Sequence, residues 1–199
     1  MLMNPTKIYL IRHAEPIARD IDRSLSENGQ RQAAKVAEKL RDSGISLIYA
    51  SPLKRARETA EFVANVCKSE IVERPGLEEL NWEVWHKEGE KWDFVTAQEH
   101  LEDLPLFEEQ NAFLRIAQDR AQDQINAIYK ENVGRTVAVI SHGNVIRSFL
   151  TGIMGAHVIG FLSLDIALTG VSLIEMNDRG RYKILFINNS DHLFPAPLA

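Results

Sequence analysis

Ile8-Tyr9-Leu10-Ile11-Arg12-His13, near the start of the chain, is a run of four apolar residues that ends in two polar ones. An unbroken apolar run of this length is typical of a strand that is buried on both faces. Arg12 and His13 then lie at the carboxyl end of that strand. In open α/β sheets the carboxyl ends of the strands form the edge that binds ligands. The stretch therefore predicts a sheet covered on both sides, with a functional site at one edge.

A second stretch, Val137-Ala138-Val139-Ile140-Ser141-His142-Gly143, repeats this pattern of a buried strand that ends near a histidine. One histidine in such a place is more often a structural residue whose hydrogen bonds are satisfied. Two histidines that follow two different strands can converge, because parallel strands end at the same edge of a sheet. We therefore predict that His13 and His142 belong to one functional site.

Helical and strand patterns alternate along the rest of the chain. Helical periodicity extends from Ser26 to Ser43, and Ile45 to Ala50 is a second buried strand. Ser51-Pro52 is typical of a helix start, with the serine as N-cap and the proline in the first helical position. Apolar residues at helical spacing run from Phe113 to Ile128, and Val145 to Met154 is expected to form a further helix.

The last strands are expected to form a hairpin, since Val171 to Met176 and Tyr182 to Ile187 flank the turn sequence Asn177-Asp178-Arg179-Gly180. The alternation predicts an α/β fold, namely a three-layer α/β/α sandwich with a mostly parallel mixed sheet and one antiparallel edge strand. No repeat or linker divides the chain, so we expect a single domain over residues 1–199. An excursion over the active site is expected at about residues 73–109, and it holds all three tryptophans, Trp82, Trp85 and Trp92.

Composition limits the partners and the compartment. The formal net charge of -5 argues against nucleic acid or an anionic membrane surface as the main partner. Cys67 is the only cysteine, which excludes an intramolecular disulfide. The sequence shows neither a signal-peptide pattern nor an apolar run of membrane-spanning length, so a cytoplasmic enzyme is expected. The sequence does not decide the oligomeric state, and a homodimer stays open.

Two arginines are candidates for binding an anion. Arg12 directly follows a buried strand, and its planar fork of donors suits a phosphate or a carboxylate. Arg55 lies in the first turns of the helix after Ser51-Pro52, where backbone donors also favour an anion. The alternative for Arg55 is an ordinary solvated helix charge, which is the expectation for Arg57.

These residues together predict phosphoryl transfer to nitrogen. Neutral His13 would attack phosphorus and release an alcohol, while Arg12, Arg55 and His142 stabilise the charge on the equatorial oxygens. The leaving oxygen needs a proton, so a general acid is required nearby. No Asp or Glu cluster with metal-ligand spacing accompanies either histidine, so neither a metal nor another cofactor is expected.

Leu10-Ile11-Arg12-His13-Ala14-Glu15 resembles the signature of the histidine phosphatase superfamily, the phosphoglycerate mutase-like proteins. Three further segments are similar to family segments in the same order, Leu25 to Ala33, Ser51 to Ala60 with Arg55, and Ser141 to Arg147 with the second histidine. The resemblance implies a phosphoglycerate mutase-like fold, a metal-independent phosphomonoesterase and a phosphohistidine intermediate. It also places Gly143 among the residues that bind the substrate phosphate.

The resemblance suggests a proton donor as well. The family carries a catalytic glutamate in a Leu-x-Glu segment, which corresponds here to Leu77-Glu78-Glu79 and assigns the acid to Glu79. Glu78 is the neighbour that could be mistaken for it, and solvated loop carboxylates are the alternative for both. Where the family often has an asparagine that contacts phosphate, this chain has Arg19, which either adds a positive contact or faces solvent. His86-Lys87 also departs from the family pattern and weakens inference about the substrate.

Three functions remain to be separated. The first is a phosphatase that hydrolyses small-molecule phosphate monoesters. The second is a cofactor-dependent phosphoglycerate mutase, an isomerase that uses the same phosphohistidine. Such mutases usually carry longer substrate loops and tails than the excursion and the tail of this chain. The acidic residues of the excursion would also suit a bisphosphate poorly if they faced the pocket. The third is a catalytically silent phospho-ligand binder or signalling protein, which the presence of all five catalytic candidates argues against.

Overall fold

The computed structural model describes residues 4–18, 23–80 and 104–194, except the side chains of residues 104–107 and 109. In this part of the chain, one sheet is formed by β1 (Thr6–Arg12), β2 (Leu47–Ala50), β3 (Glu70–Glu73), β4 (Thr136–Ser141), β5 (Val171–Met176) and β6 (Tyr182–Asn189). The helices are α1 (Glu27–Lys39), α2 (Lys54–Cys67), α3 (Leu104–Glu131), α4 (Gly143–Ile153) and α5 (Val158–Ser163), and Asp191–Leu193 forms a 3-10 turn.

The strand order is β3-β2-β4-β1-β5-β6. β1, β2, β3 and β4 are parallel to one another, whereas β5 runs antiparallel to β1 and β6 runs antiparallel to β5. The predicted mixed, mostly parallel sheet is therefore confirmed. The position expected for the antiparallel strand is wrong, because β5 lies one place inside the edge. The hairpin after β5 folds β6 onto its outer side, and β6 takes the edge position.

Helices cover both faces of the sheet, and the side chains of β1, which point alternately to the two faces, show why. Ile8 and Leu10 point into a core that contains Ile125 of α3 and Phe149 of α4. Ile11 points to the opposite face, into a second core that α1 and α2 complete. Successive side chains of a strand face opposite sides, so a strand with apolar residues at every position needs both layers. This is the three-layer arrangement that the sequence predicts.

The register of the central strands positions the site. Arg12 of β1 lies opposite Ser141 of β4, and the backbone N–H of His13 donates to the carbonyl of Ser141 at 2.9 Å. His13 and His142 therefore leave neighbouring strands at the same level. β2 ends beside them, since the N–H of Ser51 donates to the carbonyl of Ile140 at 2.9 Å.

Some predicted boundaries differ from the structure. Ser51 is not the N-cap of α2, which begins at Lys54 after the N-cap Leu53, and the Ser51 hydroxyl is bonded to His142 at 2.8 Å. α4 begins at Gly143, two residues before the predicted start. The edge strand β3 was not predicted, because its side chains are exposed and carry no alternating pattern. The short α5 was not predicted either.

Several predictions fall outside the described residues. These are the role of Arg19, the excursion beyond Leu80 with Trp82, Trp85 and Trp92, and the departure at His86-Lys87. Within the described ranges, none of the helices combines the length and the apolar character that crossing a membrane requires.

Candidate active site

His13 follows β1 in a loop that fixes the orientation of its ring. Its Nδ1 lies 2.7 Å from the carbonyl oxygen of Ala14, and Nε of Arg55 donates to its Nε2 at 3.1 Å. Since Nε2 accepts a hydrogen bond from a guanidinium, the ring proton lies on Nδ1, where it is donated to Ala14. Nε2 therefore carries the lone pair of the ring, and the Arg55 guanidinium stands beside it.

His13 is held in its neutral form. The pKa of this imidazole is lowered to about 3, chiefly by burial and also by the positive charges of Arg55 and Arg12, against the opposing effect of the Ala14 carbonyl. The residue is only 5% exposed. At neutral pH the ring is therefore unprotonated, as a nitrogen nucleophile must be.

His142 lies directly before α4 and beside His13. The two ring centroids are 5.1 Å apart, and Nε2 of His142 is 2.8 Å from the hydroxyl oxygen of Ser51. Burial lowers the pKa of His142 to about 2, with a further contribution from His13 and the two arginines. Ser51 also accepts from the N–H of Leu53 at 3.3 Å, so its own proton can go to Nε2 of His142. In that arrangement Nδ1 of His142 carries the ring proton and can donate it to a ligand.

Arg12 and Gly143 pack against each other at the base of the site. The Arg12 guanidinium donates through Nη1 to the carbonyl of Ile166. A Cβ atom on Gly143 would lie 3.3 Å from both Cζ and Nε of Arg12. A larger residue at this position would therefore push the guanidinium away from the start of α4 by a few tenths of an ångström. The structure thus brings Gly143 to the site through its contact with Arg12.

Arg55 is not a solvated helix charge, because it is only 8% exposed and contacts His13. Thr59, one turn further along α2, ties this helix to the loop after β1. Its hydroxyl donates to the carbonyl of Arg55 at 2.7 Å and accepts from the N–H of Ala14 at 3.0 Å. Arg57, by contrast, forms an exposed ion pair with Glu73 at 3.4 Å, as expected of a surface charge.

Glu79 and Glu78 take different places. Burial raises the pKa of the Glu79 carboxyl, against the lowering effects of the Leu80 N–H, Arg12 and Arg55. A carboxyl near two arginines that still keeps its proton more readily than usual suits a general acid. Glu78 instead accepts from the N–H of Gly76 at 2.5 Å and pairs with Arg120 at 3.5 Å, away from this charge environment.

The loop that carries Glu79 is anchored to the sheet. The hydroxyl of Ser141, the last residue of β4, donates to the carbonyl of Leu77 at 2.7 Å, and Leu77 is fully buried. The same strand end therefore positions both His142 and the segment before Glu79. The structure brings together His13, Arg12, Arg55, His142, Gly143 and Glu79.

Two further residues of the site were not assigned from the sequence. Glu15 accepts from the hydroxyl of Ser26 at 2.7 Å and from the side chain of Asn28 at 2.8 Å, which joins the loop after His13 to the start of α1. Arg147 is a half-buried guanidinium on α4 whose charge reaches Arg12 and Glu79. The sequence did contain a signal for Arg147, because it lies four residues after Gly143 and therefore on the same face of α4.

The buried histidines predict a loss of stability in acid. A histidine whose pKa is lower in the folded state than its ordinary value of 6.5 binds fewer protons there than it does in the unfolded chain. Between pH 6.5 and about pH 3 the free energy of unfolding therefore falls as the pH falls. We expect a decrease of about 2 kcal/mol for each of His13 and His142 near ~pH 5, measured by urea unfolding.

One variant isolates this effect. His142→Gln should reduce the difference in unfolding free energy between neutral and acidic pH by about 2 kcal/mol, the contribution expected of one imidazole. An equal pH dependence in His142→Gln and the unmodified protein would contradict the assignment.

Comparison with known proteins gives one consistent result. A family model for the histidine phosphatase superfamily (branch 1) matches residues 8–190. A metal-independent phosphoserine phosphatase of Arabidopsis thaliana is 35% identical over 79% of this chain and 72% of its own length. A probable phosphoglycerate mutase of Erwinia tasmaniensis is 41% identical over 47% of this chain and 46% of its own length. The structure of an Entamoeba histolytica phosphoserine phosphatase in complex with 3-phosphoglyceric acid has a TM-score of 0.76 at 23% identity, and the match covers 95% of this chain and 100% of that one.

Proposed function

Since the chain belongs to the histidine phosphatase superfamily, we propose that it hydrolyses small-molecule phosphate monoesters through a phosphohistidine on His13. The observation that carries the proposal is the neutral imidazole of His13, with Nδ1 bound to the Ala14 carbonyl and Nε2 beside Arg55. The relative named a metal-independent phosphoserine phosphatase supports the same reaction class. Membership of the family, which the sequence motifs predict, is confirmed.

In the first step the lone pair on Nε2 of His13 attacks phosphorus. The N–P bond forms as the P–O bond of the ester breaks, and Glu79 donates its proton to the departing oxygen. Arg12 and Arg55 stabilise the charge on the three remaining oxygens, and His142 donates to one of them through Nδ1. The raised pKa of Glu79 keeps the proton available for this step.

In the second step water replaces the alcohol. The Glu79 carboxylate accepts a proton from water as the water oxygen attacks phosphorus, and the N–P bond breaks. The electron pair of that bond returns to Nε2, which restores neutral His13 and releases inorganic phosphate. Glu79 is thereby protonated again, so the cycle closes without a metal or another cofactor.

Arg147 favours an ester whose alcohol part carries a second anionic group. Its side chain is 20% exposed, and its partner Asp165 lies 3.5 Å away and is 85% exposed, so solvent weakens that pair. Its guanidinium also lies over the ring of Phe161 at 5.0 Å, which fixes its direction. A substrate carboxylate could compete for this guanidinium while the phosphate binds Arg12 and Arg55. Phosphoserine is therefore the first substrate to test, as the Arabidopsis relative also suggests.

Release of phosphate from p-nitrophenyl phosphate and from phosphoserine tests the proposal. We expect turnover of both substrates without added metal and no loss of activity in excess EDTA, because the described site supplies its charge from arginines. Loss of activity in EDTA that a divalent cation restores would contradict the metal-independent mechanism. Binding of orthovanadate without any turnover would instead favour a silent phospho-ligand binder.

A phosphoglycerate mutase is the second candidate, because several relatives, the Erwinia tasmaniensis protein among them, are named probable phosphoglycerate mutases. Interconversion of 2- and 3-phosphoglycerate, measured with and without bisphosphoglycerate as primer, separates the two functions. We expect hydrolysis to exceed isomerisation under both conditions. Isomerisation that is faster than phosphate release would assign the chain to the mutases.

A further inference from the structure

His192 is a buried histidine for which the proposed mechanism has no use. It lies in the 3-10 turn Asp191–Leu193 after β6, and its side chain is only 5% exposed. Its Nε2 is 3.0 Å from the hydroxyl oxygen of Thr169. That hydroxyl already donates its proton to the carbonyl of Leu168 at 2.7 Å, so Nε2 of His192 must be the donor. Burial lowers the pKa of His192 to about 4, which leaves a neutral ring with one N–H.

Thr169 has an unusual backbone conformation. Its φ is 55°, in the left-handed region that a β-branched residue rarely adopts. Such strain persists only where surrounding contacts hold the residue in place, and it is concentrated at functional sites. Here the hydroxyl of Thr169 is bonded on two sides, by His192 and by Leu168. These bonds offset part of the cost of the left-handed conformation.

The backbone of Thr169 contacts the catalytic loop directly. Its N–H donates to the carbonyl of Arg12 at 3.1 Å and lies 3.4 Å from the carbonyl of His13. The N–H of Arg12 in turn donates to the carbonyl of Gly170 at 3.3 Å. The strained residue thus bonds the two peptide groups that carry the phosphate-binding arginine and the nucleophile.

The turn that carries His192 is fastened to α1. Asp191 forms an ion pair with Lys39, and Nζ of Lys35 donates to the carbonyl of Leu193 at 3.4 Å. A continuous series of contacts therefore runs from α1 through His192 and Thr169 to the backbone on either side of the His13 α-carbon. This series ends on the residue whose ring must point at phosphorus.

We propose that His192 is a positioning residue, which acts through Thr169 to hold the backbone of Arg12 and His13 and so aims Nε2 of His13 at the substrate phosphorus. The inference rests on the proposed function. Without the His192 bond, Thr169 can relax from its left-handed conformation and release the two carbonyls. A displacement of the nucleophile by about 1 Å costs on the order of 10²-fold in rate, while substrate binding by the arginines changes less.

Matched substitutions test the role of the N–H group. His192→Ala should lower kcat for p-nitrophenyl phosphate by about 10- to 100-fold and change KM by less than about threefold. His192→Gln places an amide N–H at a similar reach and should recover most of that kcat. Thr169→Ser keeps the hydroxyl and should remain active, whereas Thr169→Ala should be as slow as His192→Ala. Asp191→Ala removes the exposed pair with Lys39 and a carboxylate 3.9 Å from Nδ1 of His192, but it leaves the bond between Nε2 and Thr169 in place, and so it should keep kcat within about twofold.

Several results would overturn the inference. An unchanged kcat in folded His192→Ala would do so, and so would a His192→Gln variant as slow as the alanine variant. A loss of kcat in Asp191→Ala equal to that in His192→Ala would also do so, because it would show that only the packing of the turn onto α1 matters. If His192→Ala does not fold, kcat is compared among His192→Gln, Thr169→Ala and Thr169→Ser. The inference then requires Thr169→Ala to be slow and the other two variants to remain active. An inactive unmodified protein would contradict the proposed function itself. The affinity for orthovanadate would then test the positioning role. We expect His192→Ala to bind orthovanadate more weakly than the unmodified protein, and equal binding would refute the inference.

Discussion

Replacing His13 with alanine should abolish turnover of p-nitrophenyl phosphate, with a decrease in kcat of about 10⁴-fold or more. The variant keeps the arginines, and so it can still bind a phosphate group. It lacks the Nε2 lone pair that Arg55 and Ala14 orient in the folded protein, so no N–P bond can form. Removal of a bond-forming atom is a larger loss than removal of one stabilising charge.

The intermediate itself can be detected. Acid-labile, base-stable label from radiolabelled phosphoserine should appear on His13 after a rapid quench, and it should be absent from His13→Ala. His142→Gln serves as the control, because it removes the other site imidazole and leaves the nucleophile in place. Such a label on any residue other than His13 would refute the assignment of the nucleophile.

Glu79→Gln should have a large effect that depends on the leaving group. For phosphoserine we expect kcat to fall by about 10²- to 10³-fold, because an alkoxide is a poor leaving group without a proton donor. Nitrophenolate leaves without a proton, so formation of the phosphohistidine from p-nitrophenyl phosphate should change little. Stopped-flow measurement of nitrophenolate release isolates that step.

Glu78→Gln is the matched control for this prediction, since Glu78 is bonded to Gly76 and Arg120. It should keep near-normal turnover of both substrates. A Glu78→Gln variant as slow as Glu79→Gln, or an equal loss with both leaving groups in Glu79→Gln, would show that Glu79 is not the acid.

The pH profile gives a second measure of the same residue. Turnover of phosphoserine requires protonated Glu79 and neutral His13. The pKa of Glu79 is raised, so activity should fall as the pH rises through that value, and Glu79→Gln should lose this limb. The pKa of His13 is about 3, so protonation of the nucleophile should not limit activity until strongly acidic pH.

Local patterns were enough to find the centre of the site. An apolar run that ends in Arg12-His13, and a second that ends in Ser141-His142, require buried parallel strands, and parallel strands end at one edge. The convergence of the two histidines therefore follows from the sequence. The same reasoning found Arg55, but only its burial and its contact with His13 exclude a solvated charge.

Roles that depend on distant contacts were not available from the sequence. In the sequence only the Leu-x-Glu resemblance distinguishes Glu79 from Glu78, whereas in the structure burial raises the pKa of Glu79 and Glu78 pairs with Arg120. Ser51 matched an N-cap, but its hydroxyl is bonded to His142, 91 residues away.

Thus the order of residues predicts most of the strands, their layers and His13 as the candidate nucleophile, because these depend on side-chain polarity along short segments. Only the folded chain shows that Nε2 of His13 carries the lone pair, that burial raises the pKa of Glu79, and that Thr169 bonds the backbone of Arg12 and His13. Thr169 and His192 illustrate the reason, since they lie 23 positions apart along the chain and meet only when the last turn packs onto α1. Packing brings the two partners of such a hydrogen bond together, and so no short segment of the sequence predicts it.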